Sequence, residues 1–327
     1  GPFSKEVRRQ TGYSALLNTL LLALSALTYV LLGRNSGPTG LGAYALATVI
    51  LTVQTTLLLG SLPLALTRRV AQYAERRELR EAEHLLSSAF TGLTIIAAGL
   101  GCTPVLLMIV TGGAEPSLGG IPSWFWYSLP VTVVISMWGV LIPNFYAGLL
   151  SIAISAGLPV LNPIVTILSL WLVPAHVADR PILIALVGPL TTGVAAACWA
   201  LLDHRLVLQF DWPNYWKLQR EAFRDLPLLY VLGGWMWIER LALGTSLRAS
   251  DLGQFVAVAA LVQFVVRVPQ MVLSNVFVSV TAHVAEHGHG EVVRLAAQKA
   301  VWAPALSGLA LIACAPLLLV GSPILYG

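Results

Sequence analysis

The chain has 327 residues, of which 57% are hydrophobic and only 10% are charged, and its formal net charge is +4. Soluble domains carry about 25% charged residues, so this composition, with a mean hydropathy of +0.79, excludes a soluble enzyme or a nucleic-acid-binding module. Apolar stretches of 18 or more residues recur, and unbroken apolar runs favour spanning helices over a β-barrel. The sequence therefore predicts an all-α integral membrane protein.

Nine spanning helices are predicted in chain order. They cover Thr11–Leu32, Leu41–Gly60, Leu85–Val110, Trp124–Leu149, Ser151–Val173, Ile182–Leu202, Leu226–Ser246, Leu252–Val272 and Val301–Gly321. Two other segments, Thr67–Glu83 and Asp211–Asp225, are basic, aromatic and amphipathic. That pattern is typical of helices that lie on an anionic membrane surface.

Basic residues fall in alternate loops. Those expected on one side are Lys5, Arg8, Arg9, Arg68, Arg69, Arg76, Arg77, Arg80, Arg205, Lys217, Arg220, Arg224, Arg294 and Lys299, whereas the other side holds only Arg34, Arg180 and Arg248. Because basic loops stay in the cytoplasm, this distribution predicts a multi-pass protein of the cytoplasmic membrane of a prokaryote, with its N-terminus inside.

An internal repeat links the two ends of the chain. The stretch Leu32–Glu75 matches Leu243–Glu286 at an offset of 211 residues without a gap. The first copy holds six helices, and an even number makes the two copies parallel. We therefore expect two pseudo-symmetric six-helix lobes, with residues 3–210 as the first, 211–225 as a linker and 226–327 as the first three helices of the second. By this register the chain corresponds to part of a twelve-helix protein.

Ionisable residues inside the spans mark the candidate site. Only Glu239, Arg240 and Arg267 lie there, and each charge costs about 2.5–3.5 kcal/mol at mid-bilayer. They either form an ion pair that locks helices seven and eight or line a translocation path. The uncharged Asn18, Gln54, Asn144 and Asn162 are candidates for lining a polar cavity or for hydrogen bonding between helices.

Cysteine and histidine usage predicts no metal site. Cys102, Cys198 and Cys314 all fall in apolar spans, without a CxxC pair or a histidine at ligand spacing. No cofactor is expected, apart from a coupling ion, Na+ or H+, if transport is ion-driven.

Several short motifs recur at the ends of the predicted helices. They are Leu32-Gly33-Arg34, Gly37-Pro38, Leu41-Gly42-x-Tyr44, Leu59-Gly60-Ser61 leading into the basic Arg69 stretch, Ile238-Glu239-Arg240-Leu241 and Gly253-Gln254-Phe255. Together they resemble the polysaccharide or oligosaccharide flippases of the multidrug/oligosaccharidyl-lipid/polysaccharide exporter superfamily. Pro159-Val160-Leu161-Asn162 is similar to the related lipid II flippases, although their long signature around the first two helices is absent.

The resemblance implies a MATE-like pair of lobes that form a V and rock around a central cavity. The cargo would be an isoprenoid-pyrophosphate-linked oligosaccharide or polysaccharide precursor, and Arg267 would be a candidate for pyrophosphate capture. Membrane lipids and glycan-assembly proteins would be its partners, and the protein would be a monomer without enzymatic activity.

Three other classes stay open. A drug/cation antiporter of the same superfamily would need a membrane-embedded acid in the N-terminal half, and the first six predicted helices contain none. A membrane glycosyltransferase or polymerase would need carboxylates or basic residues on sizeable outer loops, which are short here. A scaffold that has lost transport would fit the low number of charges within the spans.

Overall fold

The computed structural model describes residues 2–102, 121–149, 151–177, 179–203, 205–206, 210–229, 241–244 and 246–260. Most of these residues are helical, and none of those described lies in a β-strand. The helices are α1 (Pro2–Leu59), α2 (Leu62–Glu75), α3 (Leu79–Gly101), α4 (Ser123–Gly148), α5 (Ile152–Leu172), α6 (Arg180–Leu202) and α7 (Trp212–Leu229), followed by helical residues 249–260. The prediction of an all-α fold is confirmed.

Helix α1 is a hairpin that turns at Gly37. This glycine has φ 66° and ψ −177°, which lie outside the helical region, and Pro38 follows it. In a straight helix the Cα atoms of Tyr29 and Tyr44 would be about 22 Å apart, yet their ring centroids are 5.8 Å apart and the rings meet edge to face. The chain therefore reverses, and residues 2–36 (arm α1a) and 38–59 (arm α1b) correspond to the first two predicted spans.

Five described helices are long and apolar enough to cross a membrane. They are Leu16–Leu59, Leu79–Gly101, Ser123–Gly148, Ala153–Leu172 and Arg180–Leu202. Because the first contains the hairpin, the described part of the chain provides six crossings before residue 203. Helices α4, α5 and α6 begin and end within two residues of the predicted spans.

The predicted boundary between the surface helix and the third span is wrong. The surface helix α2 ends at Glu75 rather than at Glu83, and α3 already begins at Leu79. Between them Arg77 has φ 61°, a left-handed conformation that ends a helix. The charged residues that follow it therefore form the first turns of the spanning helix.

Helix α7 packs against α2 and α3. Its Tyr215 is fully buried against Gly92, where an added Cβ would lie 2.7 Å from the tyrosine ring. The Ser61 hydroxyl, just before α2, donates to the carbonyl of Ala222. Helix α7 covers the predicted amphipathic segment, apart from its first residue, and continues to Leu229. The division into lobes at residues 210 and 226 stays a prediction.

Two opposite faces of the molecule can be defined from these contacts. The α2 face holds α2 and α7, the end of α4, where Thr67 Oγ1 donates to the Asn144 carbonyl at 2.9 Å, and the end of α6, where Arg205 pairs with Glu83 at 2.5 Å. The Gly37 face holds the hairpin turn, with Gly40 beside Pro181. The described basic residues lie mostly on the α2 face, so the charge asymmetry seen in the sequence is present in the fold.

Candidate functional site

A cavity of about 880 Å³ lies among α1a, α1b, α4, α5 and α6. At one end it reaches Tyr29 and Tyr44, near the Gly37 turn, and at the other it reaches residues 60–64, at the start of α2. Ala260, from the segment that follows the first six crossings, also lines it. The cavity therefore extends from the α2 face well into the membrane-spanning region.

The described lining residues carry no Asp, Glu, Lys, Arg or His side chain. Their polar groups are mainly hydroxyls, and seven of these donate to the backbone carbonyl four residues earlier at 2.7–3.0 Å: Ser25, Thr28, Thr48, Thr52, Thr55, Thr166 and Thr192. A hydroxyl has one proton but two lone pairs. Since the proton is committed to the helix, each of these oxygens is left to act as an acceptor.

Prolines add further acceptors to the cavity wall. Pro143, Pro159, Pro163 and Pro189 line the cavity within α4, α5 and α6. A proline inside a helix has no N–H, so the carbonyl four residues earlier loses its backbone donor. Three such carbonyls belong to the lining residues Gly139, Ser155 and Pro159. The wall is thus uncharged and mainly apolar, with oxygen acceptors placed along it, which suits a ligand that brings donors, such as a sugar or a cation.

A polar cluster between α5 and α6 depends on a glycine. An added Cβ at Gly188 would overlap Asn162 Oδ1 and Thr166 Oγ1. Thr166 Oγ1 also lies 3.3 Å from Asn162 Oδ1 and 2.8 Å from the Asn162 carbonyl. The absence of a side chain at Gly188 therefore leaves the space in which these two polar side chains sit.

A close helix crossing lies between the cavity and the Gly37 face. An added Cβ at Gly42 would lie 2.8 Å from the carbonyl carbon of Ala249, and one at Gly253 would lie 2.7 Å from the carbonyl carbon of Pro38. At the offset of 211 residues, Pro38 corresponds to Ala249 and Gly42 to Gly253. The glycine of each copy therefore packs against the equivalent residue of the other copy. Such an exchange of contacts is expected when two copies cross on a two-fold pseudo-axis. Small residues let the two backbones approach this closely.

On the α2 face an ion pair ties α2 to α7. Arg69 donates to both carboxylate oxygens of Glu221, with Nε 2.9 Å from Oε2. The hydrogen bond from Arg69 lowers the pKa of Glu221 from its usual value and, reciprocally, raises the pKa of Arg69. Together with the bond from Ser61 to Ala222, the pair fixes α7 beside the start of α2.

The structure separates the residues predicted from sequence into three groups. Asn144 and Asn162 line the cavity, whereas Asn18 and Gln54 lie on the arms of α1 outside its lining. The acid and the two arginines predicted to line the path, Glu239, Arg240 and Arg267, lie outside the described residues. What each contributes to function stays a prediction.

Sequence reasoning missed the threonines of α1b. Thr48, Thr52 and Thr55 all line the cavity. Their spacing of four and three residues places them on one side of a helix. This polar stripe within an apolar span was the signal that could have identified them.

No protein-family model matches the chain, and no curated protein matches it. Among solved structures, the crystal structure of MATE in complex with MaL6 matches with a TM-score of 0.62 and 14% sequence identity, over 98% of this chain and 77% of that chain. At this identity the match establishes the fold alone. The chain therefore has a MATE-like fold, in agreement with the architecture expected from its repeat and its short motifs.

Proposed function

We propose that the protein is a flippase that moves an isoprenoid-pyrophosphate-linked oligosaccharide or polysaccharide precursor across the membrane by alternating access. The observation that carries this proposal is the uncharged cavity wall with the oxygen acceptors placed along it. Sugar hydroxyls bring many donors and no net charge, so they can satisfy this wall without a buried counter-ion. A volume of about 880 Å³ is within the range of small-molecule sites and large enough for a few sugar rings.

The internal repeat supports a complementary role for the second lobe. At the 211-residue offset, Glu239 corresponds to Thr28, Arg240 to Tyr29 and Arg267 to Thr56, and the three residues of the first copy all line the cavity. We infer that the three charged residues line its opposite wall. A guanidinium forms a planar fork that matches phosphate oxygens, so Arg267 is the proposed contact for the pyrophosphate, while the first lobe holds the sugar.

The alternative is a drug/cation antiporter, which the MATE-like fold accommodates equally well. Such a protein would need a carboxylate in the first lobe to exchange a cation for Na+ or H+. Along the described cavity lining no side chain carries a carboxylate. This difference in chemistry favours the flippase proposal.

The cavity geometry also fits one stage of a rocking cycle. The lining reaches the α2 face, and we infer that the crossing of Gly42 with Gly253 closes the Gly37 face. By the distribution of basic residues the α2 face is the cytoplasmic one. On this proposal the cavity is open on the side from which a precursor made in the cytoplasm is loaded.

The proposal is tested by reconstituting the protein in liposomes with a fluorescent isoprenyl-pyrophosphate-linked oligosaccharide. Translocation is measured as the fraction of the fluorescence that is lost when an enzyme or a quencher is added outside the liposomes. We expect Thr166→Val, which removes a cavity oxygen without changing side-chain shape, to slow translocation at least threefold. Thr132→Val is the matched control, because Thr132 is buried and donates to Ser128 outside the cavity lining.

A second arm of the same experiment measures efflux of a cationic dye driven by a Na+ or H+ gradient. Dye efflux without glycan translocation would assign the protein to the antiporters and overturn the proposal. Equal effects of the two threonine variants would show that the cavity wall does not contact the glycan.

A further inference from the structure

Helix α7 has three distinct surfaces. Tyr215, Leu218 and Ala222 are buried against the protein, whereas Trp212, Trp216 and Phe223 are 52%, 48% and 60% exposed. Successive residues of a helix are about 100° apart, which places the three exposed aromatic side chains in one narrow stripe, about 100° from the centre of the buried surface. Lys217, Arg220 and Arg224 are also exposed. They form a basic stripe about 90° from the aromatic one, on the side directed away from the protein.

Two acids near this stripe, Glu221 and Asp211, already have partners. Glu221 is held by Arg69. Asp211 accepts from the backbone N–H of Asn214 at 3.3 Å and from its side-chain amide at 2.7 Å. Among the described residues, Lys217, Arg220 and Arg224 have no ion-pair partner. The outward surface of α7 is therefore locally positive, although its sequence also contains acids.

The aromatic stripe indicates how α7 is placed against the membrane. Trp212 and Trp216 stack with ring centroids 6.1 Å apart, and Phe210 packs on Trp212 at 5.7 Å. Tryptophans concentrate at the boundary between acyl chains and headgroups. When this stripe faces the acyl chains, a basic stripe about 90° away lies at headgroup depth and points into the surrounding lipid. Each basic residue near an anionic surface strengthens binding by about fivefold.

We propose that Lys217, Arg220 and Arg224 form a binding site for the headgroups of anionic glycerophospholipids in the leaflet on the α2 face. The site lies outside the cavity, and its existence does not depend on the cargo. The bound lipids hold α7 against the membrane, while its buried surface and the Arg69–Glu221 pair hold it against the protein.

The test uses the purified full chain in a neutral detergent, titrated with phosphatidylglycerol or phosphatidylcholine, with bound lipids counted by native mass spectrometry. The wild type should bind phosphatidylglycerol at least tenfold more tightly than phosphatidylcholine at low salt. Combined K217Q/R220Q/R224Q substitution should remove that preference. R220K/R224K, which keeps both charges, should retain the affinity within about twofold.

The matched control is R76Q/R77Q/R80Q, which removes three charges from the turn after α2 and the first turn of α3, on the same face. This variant should keep the preference for phosphatidylglycerol. An equal loss in both triple variants would assign the preference to the overall charge of the face and overturn the proposal. A preference that persists in the α7 triple variant, or one that is absent from the wild type, would overturn it as well.

Discussion

Replacing Gly42 by alanine should open the Gly37 face of the protein. The new Cβ would overlap the carbonyl oxygen of Ala249 and lie 2.8 Å from its carbonyl carbon, whereas ordinary contacts begin at about 3.4 Å, so the helices must separate by well over about 0.6 Å. The neighbouring atoms belong to the backbone, so no side chain can rotate away to make room. Overpacking of this kind costs about 1–3 kcal/mol. The closed arrangement should therefore lose about 5- to 150-fold in relative population.

The opening can be measured by labelling a cysteine inside the cavity. Thr28 lines the cavity near its closed end and is only 3% exposed. We would introduce Thr28→Cys in a background without the three native cysteines. A membrane-impermeant maleimide added on the Gly37 side should label this cysteine slowly in the parent protein. It should label the Gly42→Ala variant about 5- to 150-fold faster, up to the limit set by a fully open state.

The repeat makes this prediction stricter. Because the two contacts are exchanged at the 211-residue offset, Gly253→Ala should accelerate labelling in the same direction and by a factor within about threefold of Gly42→Ala. Gly99→Ala is the control, since an added Cβ at Gly99 meets nothing within 4 Å. An effect of one substitution without the other, or unchanged labelling in both variants with an unaltered melting temperature, would refute the reasoning.

Two further predictions concern the attachment of α7. Because Arg69 lowers the pKa of Glu221, the pair stabilises the folded protein above the usual glutamate pKa of about 4.3 and loses this effect as the pH falls through the lowered value. Glu221→Gln should therefore reduce stability by about 0.2–1 kcal/mol at pH 7, and thermal melts should show the difference disappearing in acid; a constant difference would contradict this. Gly92→Ala should cost about 1–3 kcal/mol by overlapping the buried Tyr215 ring, with Gly99→Ala on the same helix showing no loss in the same melts.

The spans were predictable from the sequence because a helix that crosses a bilayer needs an apolar stretch of a fixed minimum length. Helices α4 to α6 follow apolar stretches bounded by polar or turn residues, and the first turn follows from Gly37-Pro38, where φ of 66° favours glycine. The end of α2 was not predictable in this way. Arg77 adopts φ 61° without being a glycine or an asparagine, and amphipathic periodicity carries no signal for such a turn.

The site was only partly predictable because mid-span polar residues look alike in sequence. Asn162 and Gln54 both interrupt apolar spans, but only Asn162 lines the cavity. The difference lies in the rotation of each helix about its axis, which packing against neighbouring helices decides. Gly188 illustrates the same limit, since its importance comes from the overlap that a side chain would make with Asn162 and Thr166.

The two copies of the repeat both have a glycine where their backbones touch. They have different residue types at positions where the first copy lines the cavity. Gly42 and Gly253 occupy equivalent places in one crossing, and any side chain larger than hydrogen would separate the helices there. In contrast, the cavity-lining Thr28 and Thr56 correspond to Glu239 and Arg267. Close packing constrains the first pair, whereas a side chain that faces an open cavity can change without displacing a helix. On the proposal that Glu239 and Arg267 line the opposite wall, a duplicated scaffold keeps its crossing while neutral acceptors face the sugar of the proposed cargo and charge faces its phosphates.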